Sequence, residues 1–288
     1  MNLFTIENMR CSYDRPYSEG RSRMVLRINS LNIARGQKVF IVGESGIGKS
    51  TILETLGMMN NTIVPDAATR FIFSDTDGTE IDLKAMWEGG DAPLSQFRLH
   101  HYSFIFQSTN LMRNFTAYEN VAYTRMLQGY SREEAFEKTG QVLADLDLEH
   151  VDEARMAQEL SGGQQQRLAF ARAILPDFTV LFGDEPTGNL DQENAMRVMR
   201  IIAKNIDERE GASAIIVSHD MHLATTFADV IVKIRKEVCQ TENSANEGVI
   251  YGVIDDACVY KPNSNRTLWS SSGEQFPTAD FEVFLRQK

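Results

Sequence analysis

Two hydrophobic periods divide the chain. Near the N-terminus, apolar and polar residues alternate at Leu3-Phe4-Thr5-Ile6 and again over residues 24–33. That two-residue period predicts half-buried strands, with residues 14–23, rich in Ser, Gly, Pro and Arg, as the loop between them. Residues 38–43 form a short apolar run ending in glycine, and Ser50-Thr51-Ile52-Leu53-Glu54-Thr55-Leu56 then reads as a helix. A strand, a glycine turn and a helix therefore follow directly on one another. Further apolar runs at 180–182, 214–217 and 230–234 are separated by helical patterns such as residues 194–206. This alternation predicts an α/β fold with a mainly parallel, doubly wound sheet.

Elsewhere the pattern is weaker. Residues 60–101 hold no sustained period, and turns at Asp77-Gly78 and Gly89-Gly90 predict a hairpin with variable excursions. Ser131 with Glu134 has capping-box spacing, and Ala135, Val142, Leu143 and Leu146 continue an apolar helix face, as part of a helical subdomain. After Lys236 a polar run from Cys239 to Gly248 leads to a predicted strand over 249–260 and a short amphipathic helix near Phe281. No internal repeat is visible.

The 288 residues suffice for a real core, and 42% hydrophobic with 24% charged residues is ordinary for a globular protein. No apolar run approaches the roughly 18 residues of a membrane span. The N-terminal residues 1–7 have no secretory pattern, so a cytoplasmic address is expected. Cys11, Cys239 and Cys258 are too few and too scattered for a disulfide framework or a metal motif, and read as reduced thiols. A net charge of −11 opposes broad attachment to nucleic acid or anionic lipid, and no nucleic-acid partner is expected.

Three motifs carry chemistry. Gly43-Glu44-Ser45-Gly46-Ile47-Gly48-Lys49-Ser50 has P-loop spacing. Its glycines let backbone N–H groups wrap phosphates, Lys49 reaches the β- and γ-phosphates, and Ser50 is placed to ligate magnesium. Val180-Leu181-Phe182-Gly183-Asp184-Glu185 is an apolar strand ending in two acids. Asp184 falls at the carboxyl edge of the sheet, where magnesium would sit, and Glu185 is placed to orient or deprotonate a water. Alone, such a pair is more often an exposed strand end, and its partner motifs change that reading. Leu160-Ser161-Gly162-Gly163-Gln164-Gln165-Gln166-Arg167 opens a helix whose serine cap and glycine amides form an anion-binding end.

With these strings the chain resembles the ABC ATPases over residues 1–235, since Ser161-Gly162-Gly163-Gln164 matches their signature motif and precedes the Asp-Glu strand. Gln107 matches the Q-loop, Asn189-Leu190-Asp191 the D-loop, and His219 the switch histidine. The resemblance implies a P-loop NTPase core, an N-terminal antiparallel β subdomain and an inserted α-helical subdomain at about residues 108–165. It implies ATP and Mg2+ as ligands, bound through residues 43–50, Thr51 and Gln107, with the metal on Ser50, Gln107 and Asp184. Glu185 is then the base, His219 senses the γ-phosphate, and the signature of one subunit completes the ATP site of the other. Tyr13 stands where the family stacks an aromatic on adenine, although the loop that follows also offers Tyr17 and Tyr13 also reads as a core residue. Gly183 departs from the larger residue usual before the Walker B aspartate.

Asp184-Glu185-Pro186-Thr187-Gly188-Asn189-Leu190-Asp191, the triple glutamine and Phe115-Thr116-Ala117-Tyr118-Glu119-Asn120-Val121 are similar to the macrolide-exporter, lipoprotein-release and cell-division branch. That likeness implies a dimer, with itself or with a related ATPase, held at the inner face of the cell membrane by an integral membrane permease. Residues 107–123 would form the docking groove, with Leu111, Phe115 and Tyr118 equally readable as packing. A soluble ATPase of the translation or DNA-repair type is the alternative, disfavoured by the single nucleotide-binding unit and the lack of a long coiled-coil insertion. A module that has lost hydrolysis is disfavoured by Lys49, Asp184, Glu185 and His219. Residues 236–288 lie beyond the resemblance and are expected to form a hairpin and a short helix.

Overall fold

The computed structural model describes residues 1–13, 23–188, 190–239 and 249–287. Two long antiparallel strands, β1 (Asn2–Tyr13) and β2 (Arg23–Ala34), open the chain, and β3 (Lys38–Val42) runs through a glycine turn into α1 (Lys49–Leu56). A hairpin of β4 (Arg70–Ser74) and β5 (Glu80–Asp82) precedes α2 (Leu83–Glu88), α3 (Asp91–His101) and β6 (Tyr102–Ile105). Then come α4 (Ala117–Leu127), α5 (Arg132–Asp145), α6 (Gly162–Ile174), β7 (Val180–Asp184), α7 (Gln192–Glu208), β8 (Ser213–Val217), α8 (Met221–Phe227) and β9 (Val230–Lys233). The C-terminal part adds β10 (Arg235–Cys239), β11 (Val249–Ile254), β12 (Val259–Pro262), β13 (Leu268–Ser270), β14 (Gln275–Pro277) and α9 (Thr278–Arg286).

The described strands form two sheets, in the orders β10-β11-β2-β1-β4-β5 and β14-β13-β12-β9-β3-β8-β7-β6. In the second sheet β9, β3, β8, β7 and β6 are all parallel, as the sequence alternation predicts. The central strand shows why its sequence is an unbroken apolar run. Phe40 and Val42 face the core under the helices, while Val39 and Ile41 face the core shared with the N-terminal sheet. A parallel strand covered on both faces has no solvent side to make polar. Each fully buried Phe, Ile or Val contributes about 1.5–3 kcal/mol.

Helix boundaries follow local chemistry. Thr116 with Glu119 and Ser131 with Glu134 form complete capping boxes at α4 and α5, the second at the position predicted. Residues 60–101 are more ordered than expected. The hairpin is there, but α2 and α3 follow it, with Asp82 accepting from the Lys84 and Ala85 N–H groups to cap α2. Pro93 sits in the first turn of α3, where a missing N–H costs nothing. Leu94 and Phe97 bury that helix's apolar side, and Phe97 meets Phe73 and Tyr102 edge-on at 5.1 Å and 5.0 Å.

The strand expected over 249–260 is two strands. Asp255 turns the chain by accepting the Ala257 N–H at 3.0 Å, so β11 joins the first sheet parallel to β2 and β12 joins the second antiparallel to β9. The segment 236–288, expected as a hairpin and short helix, thus carries strands of both sheets as well as α9. Cys11 and Cys258 are buried free thiols. Most of the predicted loop 14–23, Tyr17 with it, and the polar run 240–248 lie outside the described residues. Among the described residues no helix is long and apolar enough to cross a membrane.

Candidate functional site

The parallel strands bring the motifs to one edge. β3 ends at the P-loop, β6 at Gln107, β7 at Asp184 and Glu185, and β8 at Ser218 and His219. Carboxyl ends of neighbouring parallel strands open on a common crevice, so residues far apart in sequence become neighbours.

The P-loop needs its glycines. Gly46 and Gly48 have φ of 76° and 106°, which side chains rarely adopt, and Gly48 stands directly before α1. Lys49 is only 6% exposed, and its Nζ donates to the carbonyls of Gly43 at 3.0 Å and Glu44 at 2.7 Å. Burial lowers the Lys49 pKa, while Glu185 and Asp184 pull it back up. Its ammonium therefore sits among loop carbonyls and facing two carboxylates. Tyr13 reaches the same helix, its half-exposed ring directing the hydroxyl to Thr51 Oγ1 at 3.4 Å and Glu54 Oε2 at 3.2 Å.

Asp184 and Glu185 form an anionic corner. Burial raises the Asp184 pKa, as do the charges of Glu185 and Glu54, while Lys49 and a hydrogen bond from Ser50 oppose the rise. Among the described residues no group of three or more His, Cys, Asp or Glu is arranged to hold a metal unaided. One half-buried carboxylate beside a serine hydroxyl fits instead a magnesium ion completed by phosphate and water oxygens, because Mg2+ keeps most of its own shell. Glu185 adopts a left-handed φ of 47° and is anchored by its N–H donating to the Val217 carbonyl at 3.0 Å. That turn brings its Oε1 within 2.8 Å of His219 Nε2. Asp220 caps α8 through the His222 and Leu223 N–H groups, fixing the turn that carries His219. A Cβ on Gly183 would lie 3.4 Å from Ile216 and Pro186, so the glycine here is not forced by crowding.

The signature residues lie elsewhere. Ser161 accepts the Gln164 N–H at 3.3 Å and Gln164 Oε1 accepts the Ser161 N–H at 2.9 Å, closing a capping box at α6. Gly163 lines a small separate cleft with Arg167 and Leu190. The fold does not bring residues 161–164 into the cleft that the P-loop lines. Asp191 caps α7 by accepting the Asn194 N–H at 2.9 Å, and that bond holds its carboxyl below the usual range. Asn189 lies outside the described residues.

One wall of the site went unread in the sequence. Gly43, Glu44, Ser45 and His219 share a cleft of about 1200 Å³ with Lys233, Lys236, Tyr260, Glu274 and Arg286. These residues carry no motif: Lys233 ends β9 beside the P-loop strand, Lys236 lies in β10, and the docking of β12 on β9 adds Tyr260 to the same sheet.

The ABC transporter family model matches residues 26–188, more than half of the chain. The chain belongs to the ABC transporter family. This ATP-binding cassette is 36% identical over 227 residues to the lipoprotein-releasing system ATP-binding protein LolD of Myxococcus xanthus, across 79% of this chain and 94% of LolD. It is 37% identical over 227 residues to the macrolide export ATP-binding/permease protein MacB of Shewanella sp. strain ANA-3, across 78% of this chain and 32% of MacB. The cassette thus spans about a third of that second relative. The dimeric structure of MJ0796, a bacterial ABC transporter cassette, matches with a TM-score of 0.67 at 28% identity, over 80% of this chain and 94% of that one. A dimeric post-hydrolysis state of MJ0796 bound to ADP and Pi matches at 0.64 with 28% identity and the same coverage.

Proposed function

We propose that this cassette binds and hydrolyses ATP with magnesium as a dimer and drives a separate membrane partner. The observation that carries the reading is the Glu185–His219 contact of 2.8 Å beside buried Lys49. A carboxylate fixed by a histidine at the mouth of a P-loop is placed to take a proton from an attacking water. In this reading Tyr13 stacks on adenine, the glycine amides of residues 43–48 with Lys49, Ser50 and Thr51 hold the phosphates, and His219 contacts the γ-phosphate. Ser50, Asp184 and Gln107 would hold magnesium, which supplies charge neutralisation on the transferring phosphoryl group.

Residues 161–164 are exposed or half-exposed and do not line the cleft of the chain's own P-loop. A second subunit, identical or related, supplies the missing half of each site, as the dimeric MJ0796 structures support. The relatives named for lipoprotein release and macrolide export support a membrane permease as the partner, with the cassette at the inner face of the membrane. Leu111 and Tyr118 pack on the helical core, whereas Tyr123, Met126 and Leu127 on α4 are left exposed at 43%, 38% and 53%. That apolar strip extends the groove expected at 107–123 and suits a partner helix.

The test is ATP turnover and oligomeric state together, for wild type and Glu185→Gln with magnesium and ATP. Turnover is expected to fall by about 10²–10⁴ while an ATP-bound dimer accumulates. Unchanged turnover in a persistent monomer would overturn both the base and the dimer.

A further inference from the structure

Gly43, Glu44, Ser45 and Ile47 of the P-loop with His219 form one wall of the cleft of about 1200 Å³, and residues 233–236 with the C-terminal part build the other. Its placement against the P-loop is tight. A Cβ on Gly252 of β11 would lie 2.3 Å from the Ile47 carbonyl oxygen, so strand and loop touch backbone to backbone. Lys236 Nζ pairs with Glu44 Oε2 of the P-loop at 3.3 Å.

Helix α9 is fixed just as firmly. Phe281 is fully buried and stacks on Trp269 at 5.1 Å, and Leu285 is buried beside it. Glu282 accepts the Thr225 hydroxyl of α8 at 2.8 Å. Lys233, at the end of β9, donates to the Phe284 carbonyl at 2.7 Å and lies 3.8 Å from that ring's centroid. The last turn of α9 is therefore tied to the strand beside the P-loop strand.

Arg286 ends this helix. Its side chain lines the cleft of Gly43, Ser45 and His219, and also the adjoining cleft of about 600 Å³ that Glu185, Ser218 and His219 line. Among the described residues no carboxylate pairs with it, unlike Arg235, which pairs with Asp255, and Lys236, which pairs with Glu44. Exposed at the rim of both clefts, its guanidinium offers a planar fork suited to two phosphate oxygens.

We propose that Arg286 is a phosphate-binding residue of the same subunit, contacting the γ-phosphoryl group of ATP during transfer. The proposal rests on the ATP-site reading above and adds a cation that no motif supplies. It places stabilisation where charge develops in the transition state, so its loss falls on turnover more than on nucleotide affinity.

The test uses the full chain, with Arg286→Gln and Arg286→Lys, reading kcat and KM for ATP, ADP affinity, and inhibition by orthovanadate, which with ADP mimics the transferring phosphoryl group. Arg286→Gln is expected to lower kcat by about 10- to 100-fold and weaken vanadate inhibition in parallel, with ADP affinity unchanged and partial recovery in Arg286→Lys. Wild-type kcat and vanadate inhibition would overturn it. So would a joint fall in ADP affinity and Tm, which marks a packing role, or a loss of activity cured by higher protein concentration, which marks a contact with a second copy. Glu185→Gln run alongside separates the failures: if it is inactive while Arg286→Gln is normal, only the role of Arg286 falls, and if it turns over normally the ATP-site reading falls first.

Discussion

Both the P-loop and the signature helix place glycines at the start of a helix, but for different reasons. In the P-loop the backbone demands them, since Gly46 and Gly48 have positive φ, and Lys49 is buried against the loop they form. At α6 neither Gly162 nor Gly163 has a positive φ, and a Cβ on either would meet nothing within 4 Å. Glycine in a helix costs up to about 1 kcal/mol relative to alanine, so nothing inside the subunit explains these two. The P-loop end is shaped by its own chain, whereas the glycines of the signature end answer to no demand inside the subunit, as the proposed dimer would have it.

The largest expected effect breaks or confirms that division directly. Lys49→Ala and Gly163→Asp should each abolish turnover, the first by removing the phosphate cation and the second by placing a carboxylate at the anion-binding helix end. A mixed dimer carries one site with both lesions and one with neither, so mixing the two inactive proteins should restore about a quarter of the wild-type sites. Recovery of no activity on mixing, with mixed dimers shown to form, would mean that each subunit works alone.

A smaller effect sharpens the contrast. Gly48→Ala forces a side chain to a φ of 106° and should cost about 1–3 kcal/mol, or roughly 5- to 150-fold in ATP affinity of the monomer. Gly162→Ala should leave monomer affinity and Tm unchanged or slightly raised, and lower only dimer-dependent hydrolysis. Titration of fluorescent ATP into each variant, with thermal melts, reads both. Equal loss of monomer affinity in the two would remove the distinction.

The smallest effect concerns stability and pH. The Asp184 carboxyl is raised above its ordinary value by burial and by Glu185. The folded state therefore holds that proton more readily than the unfolded chain does, and the nucleotide-free protein loses stability as pH rises through the raised pKa. At neutral pH Asp184→Asn should raise Tm by a few degrees while abolishing magnesium-dependent turnover. The gain in Tm should shrink as pH falls toward the ordinary carboxylate range. A variant less stable than wild type at neutral pH would show that Asp184 sits in a favourable environment.

Much of this was legible because it is local. P-loop spacing, the apolar strand before Asp184 and the capping box at Ser131 need only neighbours in sequence. The helices α2 and α3 were missed because Gly89, Gly90 and Pro93 imitate a loop, and Phe97 finds its partners Phe73 and Tyr102 only in the folded core. The break at Asp255 was hidden because the apolar residues on either side continue, and which sheet each half joins is decided by free strand edges far away in sequence.

Sequence by itself determined the parallel-sheet architecture, the phosphate loop and the acid pair, because strand period, glycine spacing and an apolar run ending in carboxylates are written in consecutive residues. Tertiary structure alone decided that Glu185 meets His219, that residues 161–164 stay out of the cleft their own P-loop lines, that Gly252 packs on Ile47 of the P-loop, and that Arg286 lines the cleft. Those outcomes depend on which strands lie side by side, and that order is set by burying both faces of β3.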